Sequence, residues 1–312
     1  MPRCGGHRRG TGVSAGRLVD RLRRSLADAG LTGSFLARDL RTGDEIGIDP
    51  DVEYPSASLV KVPLAAAVLD RIHRGELDGA QPRQVEPGRV ATPGPMGLTR
   101  FRHPATVAVD DLLYLSTSVS DNTAADALFD LVPPPEVARF LSDAGIVGMT
   151  VRHRLHVLAE TPAERFEPRQ AHLAHSLAIG ASTPGRGHPL PQLDVSRANT
   201  GTAAAFADLL AELWAPRTLH AAAAARARAL MRDNVIRHRL APDFAADDVT
   251  WSSKTGTLLN LRHEIGAAEH ADGQVILVAA LTESAVPAVA QPAAEAQMAG
   301  VARQLHDHLR IR

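Results

Sequence analysis

Apolar positions along the chain alternate between two spacings. In residues 16–29, Leu18, Leu22 and Leu26 recur four apart with Val19 beside them, the single stripe of a helix laid on a core, and Gly30 follows as its stop. The segments Gly33–Asp39 and Glu45–Ile48 are short and flank Arg41-Thr-Gly-Asp44, which predicts a hairpin. Residues 56–74 are apolar almost throughout and predict a buried helix, with Pro63 in the first turn, where a missing N–H costs least. Helical spacing returns over 109–118, 122–131 and 135–144, the last opened by prolines 133–135. It returns again over 202–214 and 218–232, where the run Ala221–Ala225 suits a helix because alanine is the best helix former. Residues 181–200, rich in Gly and Pro, predict the longest loop. Glu264–His270 and Gln274–Thr282 then flank Ala271-Asp-Gly273 as a second hairpin, and 290–310 predicts a closing helix.

Strands thus fall near both ends and helices fill the middle. That order predicts an α+β fold: an antiparallel sheet flanked by helices, built from residues 16–55 and 233–312, with an all-helical lobe of residues 56–232 inserted between them. A functional site would lie between the lobes, and residues 1–15 are expected to form a flexible tail.

Composition narrows the function. The chain of 312 residues is 45% hydrophobic and 22% charged, an ordinary globular balance with length enough for a large core. A net charge of −1 provides no basic field, so neither nucleic acid nor an anionic membrane surface is expected as a partner. No stretch approaches the roughly 20 apolar residues of a membrane span. Arg3, Arg8 and Arg9 have no apolar run behind them, so the expected location is cytoplasmic, with export the alternative if translation starts elsewhere. Cys4 is the single cysteine, which excludes an internal disulfide and a cysteine-based metal site. His153 and His156, like His172 and His175, are three apart, but a metal needs three or four convergent ligands. Surface or loop histidines, no metal and no cofactor are the expectation; Arg152 with Arg154, and Arg237 with Arg239, read as solvated faces, although Arg237 or Arg239 could border the cleft.

Among 34 lysines and arginines only Lys61 and Lys254 are lysines. Arginine stays charged, whereas a buried lysine can lose its proton and act as a base. A chain so biased toward arginine that keeps two lysines points to positions needing an amine. Lys61 closes Ser58-Leu-Val-Lys61; three apart at a helix start, hydroxyl and amine share a face, so a desolvated Lys61 can take the Ser58 proton. Ser120-Asp121-Asn122 lies between two predicted helices, where Ser120 can relay a proton to a leaving group and the Asn122 amide can donate to and accept from an acyl side chain. Lys254-Thr255-Gly256-Thr257 adds a cation, a hydroxyl and a backbone N–H on a strand, with Gly256 leaving room for a substrate at the backbone. Singly, each fits an N-cap, a helix cap or a turn equally well.

Together, and in this order, the three resemble the Ser-x-x-Lys, Ser-Asp-Asn and Lys-Thr-Gly motifs of class A β-lactamases and penicillin-binding proteins. The resemblance extends over about residues 16–310. It implies a serine hydrolase in which Ser58 attacks the carbonyl of a small acyl substrate and Lys61 is the acylation base. It also implies an oxyanion hole from the N–H groups of Ser58 and Thr257, and a carboxylate held by Lys254, Thr255 and Thr257. One part of the pattern is missing. The family's Glu-x-x-Leu-Asn loop, whose glutamate activates the deacylating water, has no match. Counting on from Asn122 lands near His156, while Glu160, Glu164 and Glu167 lie close by; Glu160 stands as the candidate base, on a loop remodelled over 160–200. The alternatives to a β-lactam hydrolase are a cytoplasmic esterase, amidase or acyl-transfer enzyme, and a β-lactam-binding protein that deacylates slowly.

Overall fold

The computed structural model describes residues 11–88 and 96–310. The first helix, α1 (Thr11–Asp28), begins inside the stretch expected to be a tail; residues 1–10, Cys4 among them, lie outside the described part. The stripe that predicted it is buried at Leu22 and Leu26, and Gly30 ends it in the left-handed region at φ +70°. The chain then enters β1 (Leu31–Asp39) and β2 (Glu45–Ile48), the first predicted hairpin. The C-terminal section supplies β8 (Val249–Leu258), β9 (Leu261–His270) and β10 (Val275–Ser284), followed by α10 (Pro292–Arg310). These five strands form one antiparallel sheet in the order β2-β1-β10-β9-β8.

Side-chain alternation explains why the sheet sits in the interior. Along β10, Ile276, Val278 and Ala280 join the core formed with α1 and α10, while Leu277, Ala279 and Leu281 join the core of the helical region. Along β1, Phe35 and Ala37 face one way and Leu36 the other. Both faces being covered, the central strands read as continuous apolar runs rather than alternating ones.

Between the two sheet-forming segments, the chain passes β3 (Tyr54–Pro55), a 3-10 turn at Ala57–Val60, α2 (Lys61–His73), β4 (Pro82–Val85) and β5 (Ala105–Ala108). It continues through α3 (Val109–Thr117), α4 (Asn122–Leu131), α5 (Pro134–Asp143), β6 (Met149–Thr150) and α6 (Ala171–Ile179). Then come β7 (Thr200–Gly201), α7 (Ala203–Trp214), α8 (Ala221–Arg232) and the short α9 (Ala241–Phe244). Every residue of α2 from Lys61 to Leu69 is buried, and the helix packs against α3, α4, α5 and α8. An apolar surface on all sides is what a central helix requires. Where the apolar pattern predicts one helix over 56–74, the chain instead makes a 3-10 turn before α2, because β3 pairs with β7 and holds the entry to the helix. The small strands β3, β6 and β7 went unpredicted; two residues are too few for a period to register. No helix of the described residues is long and apolar enough to cross a membrane.

Candidate active site

Ser58 lies in the 3-10 turn, with Lys61 as the first residue of α2. The turn is strained: Ala57 has φ +46°, a left-handed conformation that costs a residue with a Cβ about 1–2 kcal/mol. Three contacts hold it. The Ser56 N–H donates to the Asn199 carbonyl (2.7 Å), and the Leu59 N–H to the Ser56 carbonyl (2.9 Å). His263 supplies the third. Its Nδ1 accepts from the Thr282 N–H (3.1 Å), so its proton sits on Nε2 and is donated to the Pro55 carbonyl (3.0 Å). Burial pushes the His263 pKa down to about 3, so the ring stays neutral and this polarity is kept. A side chain at Gly256 would meet Leu59 Cγ at 3.0 Å and the Ser56 carbonyl at 3.1 Å. The missing side chain of Gly256 is thus filled by the protein's own Ser58 turn, where the sequence had suggested room for a substrate.

Lys61 is fully buried. Its Nζ donates to the Ser120 carbonyl (2.6 Å) and Asn122 Oδ1 (2.6 Å), and lies 3.2 Å from Ser58 Oγ and 3.3 Å from Ser120 Oγ. Desolvation lowers its pKa to about 7 against the opposing pull of Asp121 and Asp126. Lys254, on β8, is equally buried; its Nζ donates to Ser120 Oγ (2.8 Å) and the Thr255 carbonyl (2.8 Å). Burial first, then the nearby cations Lys61 and Arg239, hold its pKa well below the usual lysine range. Ser120 Oγ therefore lies between the chain's two amines. Its own backbone is left-handed, φ +67°, a second strained residue in the cluster.

Asp121, between Ser120 and Asn122, is structural. Its carboxylate caps α4 through the N–H groups of Thr123 (2.9 Å) and Ala124 (3.3 Å) and accepts from Thr99 Oγ1 (2.6 Å). It also accepts from the Leu98 N–H, tying the 97–100 turn to the start of α4.

On β8, Thr255 is buried and Thr257 exposed, and β8 is an edge strand with β9 as its only neighbour in the five-stranded sheet. Thr257 Oγ1 accepts from Arg239 Nη2 (3.2 Å). The same guanidinium donates to the carbonyls of Gly256 (3.3 Å) and His263 (2.7 Å) and pairs with Glu295 at 2.9 Å. Arg239 was expected on a solvated face; it is 2% exposed, because the Glu295 carboxylate and backbone carbonyls replace water. The sequence allowed that Arg239 could border the cleft, but no spacing signal could have found its partner on α10.

The cluster thus unites Ser58, Lys61, Ser120, Asn122 and Lys254, with Thr255, Gly256 and Thr257 along its β8 side. It does not unite them with Glu160, which is exposed at the end of the 3-10 turn Leu155–Ala159 and bonds through its backbone N–H to the Val157 carbonyl. Of the four histidines His153, His156, His172 and His175, only His175 departs from the surface-or-loop expectation. His153 lies in irregular chain and is half-buried with its pKa lowered, first by desolvation, while His156 is exposed in the 3-10 turn Leu155–Ala159. On α6, His172 is exposed, but His175 is buried. No three His, Cys, Asp or Glu side chains among the described residues converge as a metal-holding group.

The sequence profile described as the beta-lactamase enzyme family matches residues 17–309. The chain belongs to that family. It is 64% identical over 304 residues, 94% of this chain and 97% of the relative, to the beta-lactamase regulatory protein BlaB of Streptomyces cacaoi. A beta-lactamase of Chitinophaga pinensis superposes with a TM-score of 0.72 at 20% identity, over 94% of this chain and 99% of that one. The structure of PBP-A does so with 0.73 at 17% identity, over 95% and 97%. The fold is β-lactamase/transpeptidase-like, α+β with an antiparallel sheet and flanking helices, as the strand and helix order predicted.

Proposed function

We propose that the chain is a serine hydrolase of the β-lactamase type, opening a β-lactam amide or a similarly activated acyl bond through an acyl-enzyme on Ser58. The observation that carries this reading is the buried Lys61 amine, 3.2 Å from Ser58 Oγ, with a pKa brought to about 7. A neutral amine has two N–H groups, which satisfy the Ser120 carbonyl and Asn122 Oδ1, and one lone pair left for the Ser58 proton. As Lys61 takes that proton, Oγ bonds to the substrate carbonyl carbon. The N–H groups of Ser58 and Thr257 are the assigned oxyanion donors, each worth roughly 3–4 kcal/mol in serine hydrolases. When the C–N bond breaks, Ser120, bonded to both amines, hands the departing nitrogen its proton. Lys254, Thr255 and Thr257, with Arg239 behind Thr257, form the cationic side suited to a substrate carboxylate.

A second reading has one observation in its favour: the Streptomyces cacaoi relative carries the name of a regulatory protein. In that reading, Ser58 captures an acyl ligand as a signal. The test is intact-protein mass after brief mixing with a penicillin and with a cephalosporin, for the wild type and Ser58→Ala. A gain of one ring-opened ligand that Ser58→Ala lacks supports acylation, and its lifetime separates turnover from capture. No adduct, with both drugs left intact, overturns the β-lactam reading and directs the search to esters and amides of metabolites.

A further inference from the structure

The two assigned oxyanion donors, the N–H groups of Ser58 and Thr257, lie on separate segments, and such a pair works only if the gap between them is held. Neither segment holds itself. Ser58 follows Ala57, whose φ of +46° relaxes unless its surroundings impose it, and Thr257 lies on β8, an edge strand. His263 is tied to both. On β9 it pairs directly with Gly256, the residue before Thr257. Its side chain reaches the other segment, where Nε2–H donates to the Pro55 carbonyl (3.0 Å), three residues before Ser58. Proline has no N–H, so that carbonyl is the only backbone polar group Pro55 possesses. The ring is held from behind as well: Nδ1 accepts from the Thr282 N–H (3.1 Å) on β10, the side chain is fully buried, and Tyr54 packs edge-on against it with ring centres 6.0 Å apart. Thr282 is fixed in turn, its Oγ1 donating to the Arg262 carbonyl (2.5 Å). Gly256 touches both segments, since a Cβ there would meet the Ser56 carbonyl at 3.1 Å and His263 Cβ at 3.4 Å.

We propose that His263 is a positioning residue that sets the gap between the Ser58 and Thr257 N–H groups, and through it the rate of acylation. The inference rests on acylation of Ser58. A buried histidine that only fills space and satisfies two backbone groups would matter for stability alone. This one differs in where its two bonds go, one to the central strand β10 and one to the strained turn that carries the nucleophile. An imidazole is rigid, so the brace between Thr282 and Pro55 has a single length. Without the Nε2–H bond, the Pro55 carbonyl is released, Ala57 is free to leave the left-handed region, and the Ser58 N–H and Oγ shift together relative to Thr257. Lys254 and Thr255 keep their places on β8, because neither of the Lys254 side-chain bonds involves His263. The step from bound substrate to acyl-enzyme therefore slows while binding is retained.

The test uses two half-mimics of the ring. His263→Gln puts an amide N–H in place of Nε2–H, keeping the bond to Pro55 and losing the one to Thr282. His263→Asn puts an amide oxygen in place of Nδ1 and does the reverse. Acylation by a penicillin is followed by rapid-mixing intact mass over a range of drug concentrations, with urea unfolding of each protein alongside. In His263→Asn the limiting acylation rate is expected to fall about 10–10²-fold with the half-saturating concentration unchanged. His263→Gln should stay close to the wild-type rate, although both variants unfold at lower urea than the wild type. An unchanged limiting rate in a folded His263→Asn, an equal fall in both variants, or a change confined to the half-saturating concentration would each overturn the assignment while acylation stands. If neither variant folds, the wild type decides: ¹⁵N NMR at pH 7 is expected to find the His263 ring neutral and protonated on Nε2, and a proton on Nδ1 would sink the proposal. No adduct on the wild type, with the penicillin intact, would overturn the acylation reading and this one with it.

Discussion

On one side of Ser58 stand Lys61, Ser120, Asn122 and Lys254, carried on or beside α2, α4 and β8, with both amines fully buried and each bonded to two or more oxygens. On the other side, residues 151–199 run through short 3-10 turns, the single helix α6 and long irregular stretches, and Glu160 and Glu167 are exposed. The difference separates a rigid cluster from a loosely built segment. Moving a proton between Ser58, Lys61 and Ser120 tolerates little misplacement, and regular elements supply that precision. The 151–199 segment, made mostly of turns and irregular chain, can change length and composition while the first cluster stays intact. The two sides meet at Asn199, whose carbonyl holds Ser56 while its side chain accepts from the N–H groups of Arg152 (2.7 Å) and His153 (3.0 Å).

Four measurements would sharpen or break that contrast. The largest effect is expected at Lys61→Met: acylation of Ser58 by a penicillin slows by about 10²–10⁴-fold in rapid-mixing mass spectrometry. An unchanged rate would remove Lys61 as the base and with it the contrast. Next, Asn199→Ala leaves the Arg152 and His153 amides without their acceptor and is expected to cost about 1–3 kcal/mol in urea unfolding. Adduct lifetime should change more than acylation rate, since the carbonyl that holds Ser56 remains.

The third concerns pH. A lysine with its pKa lowered to about 7 is protonated, and useless as a base, at lower pH; acylation should fall about tenfold per unit below pH 7 and level off above it. A flat profile down to pH 5 would mean that Lys61 does not carry the proton. The smallest effect is at the rim: Glu160→Gln should move stability by no more than about 0.5 kcal/mol and leave acylation untouched, because the side chain is exposed. A loss of acylation there would merge the two sides into one.

Much of the fold and the acylation cluster was legible because both rest on local patterns. The Leu18–Leu26 stripe, the paired runs around Gly43 and Gly273 and the apolar stretch after Lys61 each announce an element through neighbours a few residues away. Two lysines among 34 cationic residues, each inside a short motif, mark the candidate chemistry in the sequence alone. The supporting layer was not legible. Arg239 meets Glu295 across 56 residues, His263 meets Pro55 across 208, and Asp126 meets His156 across 30. In sequence, Arg239 reads as a surface charge that could border the cleft and His156 as one of several loop histidines.

The sequence by itself determined most of the long helices and strands and which residues could act as nucleophile and amine, since periodicity and residue chemistry are carried by each segment alone. Only the tertiary structure decided that Ser58 sits in a strained turn, that Gly256 makes way for that turn, and that His156 is bonded to Asp126. Those outcomes depend on which buried polar groups find partners once water has been excluded, and partners that distant are chosen by packing.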